Sequence, residues 1–311
     1  MNKWTNKKIS FISVLIATSV AFTIIGAGAL AITSLPNIKL SFAGLPVKIT
    51  GYLFGPLIGF ITGFLADLLS FLFIPSFYNP LYSFGLALTG AIPGIVAWFY
   101  FKFGKNLFSK ETKIQRYTNK IIFYKNFIWF NENKEEIKTI EKYNFLINKY
   151  EKKIILLQKA EYSNSILNFN WISSFIIISI LLIAIVTLIT NLPDRFFDSP
   201  IFFRTRPSFY LFSILGLAIM IVFISYMRFN SKPKTFLNIV PIIIFSALIE
   251  FSTIAVIAYA DSITLGIDFQ ISLIGTLLLS PIKIWGNLII ILITYNIIAP
   301  LIKNKQSNGW V

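Results

Sequence analysis

The sequence predicts an all-α integral membrane protein with about eight spans and both termini cytoplasmic. Three observations carry that expectation. The 311 residues are 56% hydrophobic and 13% charged, with a mean hydropathy of +0.73. Apolar runs of roughly 20 residues recur, the length a helix needs to cross a hydrocarbon core of about 30 Å. Basic residues collect in alternate connections. Residues before 9 hold 3, 102–168 hold 14, 228–234 hold 3 and those after 301 hold 2, so 22 of the 28 fall on one side if the spans are right. The positive-inside rule makes that side cytoplasmic. The net charge of +15 is thereby read as topology and contact with anionic headgroups, not as nucleic-acid binding.

The chain contains no cysteine and no histidine. Disulfides, thiol chemistry, the commonest metal ligand and the commonest general base are all excluded. There is no G-x-x-x-x-G-K-[ST], so this chain is not itself a P-loop ATPase. No metal constellation and no Ser–His or Cys–His pair argues for an enzyme.

The expected elements follow in order. A short basic start precedes a first span, about residues 9–33, which is too long for a signal peptide. It carries Ala17 and Ala21 on one face. These either pack inside the bundle or form a docking face. Residues 34–45 are the first outer loop, and a short span, 47–54, is broken by Gly55-Pro56. The third span covers about 57–73. Gly55, Gly59 and Gly63 fall four apart, as do Gly90 and Gly94, a spacing that lets helix backbones approach closely in lipid. A turn containing Pro75 and Pro80 leads to the fourth span, about 81–103, which completes a first membrane unit, residues 1–103.

Residues 104–169 differ in kind. They are strongly basic, and Ile140, Tyr143, Ile147, Tyr150, Ile154 and Leu157 fit three heptads. The spacing predicts an amphipathic cytoplasmic helix or a short hairpin that packs on itself, lies on headgroups or meets a partner. An additional membrane pair follows within 170–235, with an outer loop holding Asp194, Arg195 and Asp198. The last two spans, about 236–259 and 271–301, lie in 236–311 and flank an outer loop with Asp261 and Asp268.

Charges inside apolar spans cost on the order of 2.5–3.5 kcal/mol each, so each needs a reason. Asp67, Glu250 and Lys283 stand out. Glu250 and Lys283 fall at similar depth on the last two spans, which predicts an ion pair that either fixes helix register or faces a ligand. Lys39 and Lys48 flank the first outer loop and suit an anionic ligand. Phe42, Tyr78 and Tyr82 either stack on a flat ligand or join the interfacial aromatic belt. Trp285 and Asn287 rank below these.

The stretch from Pro36 to Tyr100 also resembles a family. Its residues are Lys39-Leu40-Ser41-Phe42, Leu45-Pro46, Gly51-Tyr52-Leu53-Phe54-Gly55-Pro56, Gly59, Gly63, Ala66-Asp67-Leu68-Leu69, Tyr78-Asn79-Pro80, Thr89-Gly90 and Gly94. In order and spacing they resemble the substrate-binding S component of energy-coupling-factor (ECF) vitamin transporters, nearest the folate-type branch. The resemblance covers about residues 10–104 and returns faintly from 236. It implies a six-helix S-component-like core, here with the basic insert and the extra helical pair added. It implies capture of a vitamin-like molecule, folate preferred, at the outer face of the cell membrane. Lys39, Phe42, Lys48, Asp67, Tyr78, Tyr82 and Lys283 are then the substrate-binding candidates, and Ala17 and Ala21 the docking face for a partner subunit. The implied partners are a transmembrane coupling protein and two ATPase subunits. ATP and Mg would be used by those subunits, and no cofactor would be bound by this chain. Lys39 stands where the folate-type motif has Arg, and an ammonium lacks the guanidinium fork. Two other classes remain open: a proton-coupled secondary transporter using Asp67 and Glu250, and a membrane scaffold that presents 104–169.

Overall fold

The computed structural model describes residues 6–30, 44–73, 78–131, 137–191, 206–273 and 283–294. Among these residues every regular element is helical. Helix α1 is Asn6–Leu30, α2 Gly44–Phe54, α3 Pro56–Phe73 and α4 Pro80–Ala97. Helix α4 continues through a π-helical stretch, Trp98–Gly104, into α5, Lys105–Phe108. Helices α6, Lys110–Asn131, and α7, Ile137–Lys159, form a hairpin. Then come α8, Asn164–Thr190, α9, Arg206–Asn230, and α10, Pro233–Thr264. A helix over Lys283–Thr294, α11, follows. Five stretches among the described residues are helical, long and apolar enough to cross a bilayer: Lys8–Ile25, Pro56–Phe73, Pro80–Phe130, Asn164–Thr190 and Pro233–Thr264. Ile214–Asn230 and Lys283–Thr294 are shorter apolar helices.

Helix α2 is the centre of the fold. All of its residues, from Gly44 to Phe54, are buried. At about 1.5 Å per residue it is too short to cross a bilayer alone, so the expected second span is a half-helix wrapped by protein. Helices α1, α3 and α4 pack on it. Tyr52 meets Phe245 of α10 at a ring distance of 5.3 Å. Helix α10 lies against α4, α8 and α9, and its buried run from Ile239 to Ala247 lies in the core they share.

The spaced glycines do the work their pattern predicts, with one exception. A Cβ on Gly51 would collide with the carbonyl of Gly90, and one on Gly59 would meet Gly90 and the Gly51 Cα. Gly63 faces Leu86 and Ala87, and Gly94 faces Gly55 and Pro56. Backbones of α2, α3 and α4 therefore touch directly, which is how helices associate where lipid removes the hydrophobic drive. Gly55 does not share that face. Its φ is +101°, and it is the break that lets α3 start one residue after α2 ends. Glycine is needed there for its backbone conformation, not for its small size.

The other boundaries move for identifiable reasons. Asn79 caps α4 by accepting a hydrogen bond from the Leu81 amide at 3.0 Å, and Pro80 occupies the first helical turn. The π stretch runs past the expected end of the fourth span, with Gly104 against the Phe169 ring. Helix α10 runs five residues beyond its expected end at 259, so Asp261 lies in its last turns and is buried, not in an outer loop. The basic insert is a hairpin packed on itself: the heptad residues of α7 face α6, with Tyr117 on Tyr150 at 5.3 Å and Tyr124 on Tyr143 at 5.4 Å.

The glycine contacts generate a direct test. Gly51→Ala and Gly90→Ala are expected to cost about 1–3 kcal/mol or more, since backbone has to move to admit the methyl group. Gly286→Ala on α11 meets nothing within 4 Å and is expected to be neutral or slightly stabilising. Thermal unfolding of the detergent-solubilised variants measures both, and equal melting temperatures for all three would contradict the close-approach account.

Candidate functional site

Polar side chains of the apolar helices gather at two places, each with buried members: Ser83 and Asp261 at one, Lys48 and Glu250 at the other. The first joins α3, α4 and α10 near the start of α4. The Tyr78 hydroxyl lies 2.9 Å from Ser83 Oγ, and Ser83 Oγ donates to Asp67 Oδ2 at 2.6 Å. With Ser83 donating to the carboxylate, Tyr78 is the donor to Ser83, so the three form a relay toward Asp67. One residue along α4, Tyr82 donates to Asp261 Oδ1 at 2.5 Å. The other oxygen of Asp261 accepts from Ser272 Oγ at 2.6 Å. Asn79, while capping α4, also donates its amide to Thr264 Oγ1 at 2.7 Å. Both carboxylates thus hold hydroxyls of the same turn of α4, one from each side.

The second place lies between α2, α10 and α11. Lys48, 4% exposed, donates to Asn287 Oδ1 at 3.1 Å. Lys283 Nζ sits 3.3 Å from Glu250 Oε2. Asn287 follows Lys283 by four residues and so shares its face of α11. The group thus holds two ammonium groups and one carboxylate, with Lys283 in ion-pair contact with that carboxylate and Lys48 bonded to Asn287. Among the described residues, the Asn287 side-chain NH2 and the hydroxyl of Ser246, one turn before Glu250 on α10, have no hydrogen-bond partner. Buried donors without partners are costly. A group with an excess of positive charge and spare donors suits an anionic or carbonyl-bearing ligand.

The expected candidates therefore divide. Asp67, Tyr78 and Tyr82 belong to the first group, and Lys48, Glu250 and Lys283 to the second. The expected Glu250–Lys283 pair is present. Lys39 and Phe42 lie outside the described residues. Tyr82 is committed through its hydroxyl to Asp261, and the Tyr78 ring packs on Phe71 at 5.2 Å. Ala17 and Ala21 are exposed on α1, so packing inside the bundle is not their role. Asp261, expected in an outer loop, is a buried residue of α10. The available signal was its spacing: it follows Glu250 by eleven residues, close to three full turns, and so shares its face of α10. Asn287 ranked below the charged candidates and proves to be the hydrogen-bond partner of Lys48. Among the described residues no cluster of three or more metal-ligating side chains occurs.

Fold and site together define a membrane-embedded helical protein with two polar groups held among its helices. The chain matches no family model, no curated protein and no solved structure.

The excess of positive charge in the second group predicts an asymmetry between Glu250 and Lys283. Glu250→Gln leaves the group with two ammonium groups and no carboxylate, whereas Lys283→Met leaves one ammonium and one carboxylate. Breaking a buried pair costs about 3–5 kcal/mol, and Glu250→Gln is expected at or above that range with Lys283→Met clearly below it. Unfolding midpoints of the two variants decide the order. A larger loss for Lys283→Met would show that Glu250 does not serve Lys48.

Proposed function

We propose that the chain is the substrate-capture (S) component of an ECF-type ABC importer, and that it binds a vitamin-like small molecule, folate preferred, at the outer face of the cell membrane. The observation that carries this reading is the buried group of Lys48, Asn287, Glu250 and Lys283. It lies in the unit formed by α2, α3, α4, α10 and α11, which contains the stretch resembling that family. Charge in a bilayer core is retained for a function or for pairing, and this group is not fully paired. The relay through Tyr78 and Ser83 to Asp67, and the Tyr82–Asp261 bond, supply further polar groups at the start of α4.

In this reading eight spans place both termini in the cytoplasm. The exposed Ala17 and Ala21 face of α1 docks on a transmembrane coupling protein, and two ATPase subunits drive the cycle with ATP and Mg. The chain binds no cofactor and performs no catalysis. Energy from the partners has to enter by changing the relative stability of outward and inward states, because a ligand with equal affinity for both shifts nothing.

A thermal-shift screen of the purified protein against B vitamins is the first test. A ligand that binds only the folded state, present at 100 times its dissociation constant, stabilises by about 2.7 kcal/mol. A shift with folate that weakens in Lys48→Met supports the ligand and the site together. A shift with another vitamin keeps the class and changes the ligand. If no vitamin shifts a well-folded sample, the reading falls, and proton-coupled transport or a scaffold role takes its place.

The docking surface has its own test. Ala17→Trp with Ala21→Trp is expected to leave the unfolding midpoint within about 0.5 kcal/mol of the parent, as for exposed substitutions generally, while abolishing co-purification with the coupling protein. Full co-purification would remove this face from the proposal.

A further inference from the structure

The α6–α7 hairpin has two flanks of different chemistry. Its seam is formed by Tyr117, Ile121 and Tyr124 of α6 against Tyr143, Ile147 and Tyr150 of α7. One flank carries the ion pair Lys125–Glu151 at 3.9 Å. The other is identified by Lys120 and Lys153, one from each helix, which both lie over the Tyr150 ring at 5.4 and 5.7 Å. Around Lys120, Lys113 and Arg116 fall within an arc of roughly 100° at 3.6 residues per turn, and around Lys153 so do Lys142 and Lys149. Among the described residues of the hairpin these six cations share their flank with no acid: Glu111 and Glu151 fall on the opposite flank by the same geometry, and Glu141 lies on the outward side of α7 beyond it.

The same arcs hold Phe123, Phe127 and Phe130 on α6 and Leu146 and Leu156 on α7. Phe123 is 63% exposed, Phe130 73% and Leu156 68%. Large apolar side chains among lysines on one continuous face are the composition of a segment that sinks into the headgroup boundary. The lysines meet lipid phosphates while the rings reach the acyl chains.

Both connections to the bundle are joints. At Ser109 the backbone leaves the helix with ψ at 162°, and α8 starts afresh at Ser163, which caps it by accepting from the Ser165 amide at 3.2 Å. The joints lie side by side, with Lys110 Nζ donating to the Ala160 carbonyl at 3.3 Å. The hairpin is thus tethered at both ends to apolar helices, and a bilayer surface lies within its length.

We propose that this flank is a docking surface for anionic lipid, and that the hairpin lies with it on the leaflet from which α5 and α8 emerge. Charge complementarity and tethering select that occupant. A soluble polyanion would satisfy the lysines and leave the phenylalanines in water. The proposal is independent of the importer reading, and the hairpin holds this surface whatever the bundle carries.

The absence of cysteine makes the whole chain a clean background for one label. Phe123→Cys, Leu156→Cys and, on the opposite flank, Asn144→Cys are each labelled with an environment-sensitive dye, and the full protein is placed in nanodiscs of phosphatidylcholine alone or doped with phosphatidylglycerol. The expected result is a blue shift and a several-fold rise in emission at 123 and 156 in the doped discs only, with 144 unchanged. Replacing Arg116, Lys142 and Lys149 by Gln is expected to weaken the association about fivefold per charge removed. Raising the salt reverses the shift without altering helicity. Dyes at 123 and 156 that remain aqueous in doped discs overturn the proposal, as does an equal response in neutral discs. A response to added RNA in neutral discs, without one to phosphatidylglycerol, assigns the flank to nucleic acid instead.

Discussion

Direct contact between helix backbones at α2 is the constraint on which the rest of the structure depends. A half-helix with every residue buried has no lipid-facing side through which to adjust, so its neighbours have to meet it as they are. In a bilayer, apolar side chains gain little by leaving lipid for protein. Shape and dispersion contacts must hold the helices, and these operate only at close range. Gly51, Gly59, Gly63, Gly90 and Gly94 supply that range by presenting no side chain where α2, α3 and α4 cross. Gly55, with its positive φ, then allows the chain to reverse within one residue.

The polar groups depend on this packing. Lys48 reaches Asn287 because α2 is held deep in the bundle, where α10 and α11 also run. Asp67 and Asp261 approach α4 from opposite sides because α3 and α10 both pack against it. Each carboxylate accepts from hydroxyl donors, and hydrogen bonds to an ionised group are among the strong ones. The Lys48 group differs in kind: its positive charge exceeds its negative charge, and it retains donors without acceptors. That contrast separates side chains that hold helices together from those able to meet a ligand.

Much of this was legible in the residues. The glycine spacing foretold the close crossings, and the matched depths of Glu250 and Lys283 foretold their pairing. The heptads from Ile140 to Leu157 foretold an amphipathic helix or a hairpin, and their face is the seam against α6. What escaped was information that linear spacing does not contain. The burial of α2 depends on three other helices closing around it. Asp261 looked like a loop residue because apolar density falls away near Tyr259, yet the helix continues to Thr264, held by the bonds from Tyr82 and Ser272 to that same carboxylate. Asn287 carries no charge and so attracted less weight than its neighbour Lys283.

The π-helical stretch Trp98–Gly104 sits where the bundle hands over to the hairpin. A π turn fits an extra residue into a helix without ending it. The rotational phase of α4, in which Gly85, Gly90 and Gly94 must face inward, is therefore uncoupled from that of the segment beyond. Single-residue insertions and deletions would be absorbed there instead of being transmitted to either side. An appendage grafted onto the far side of such a joint need not be in register with the bundle. This junction has the tolerance required for lineages to gain, lose or exchange the hairpin while the membrane unit stays intact.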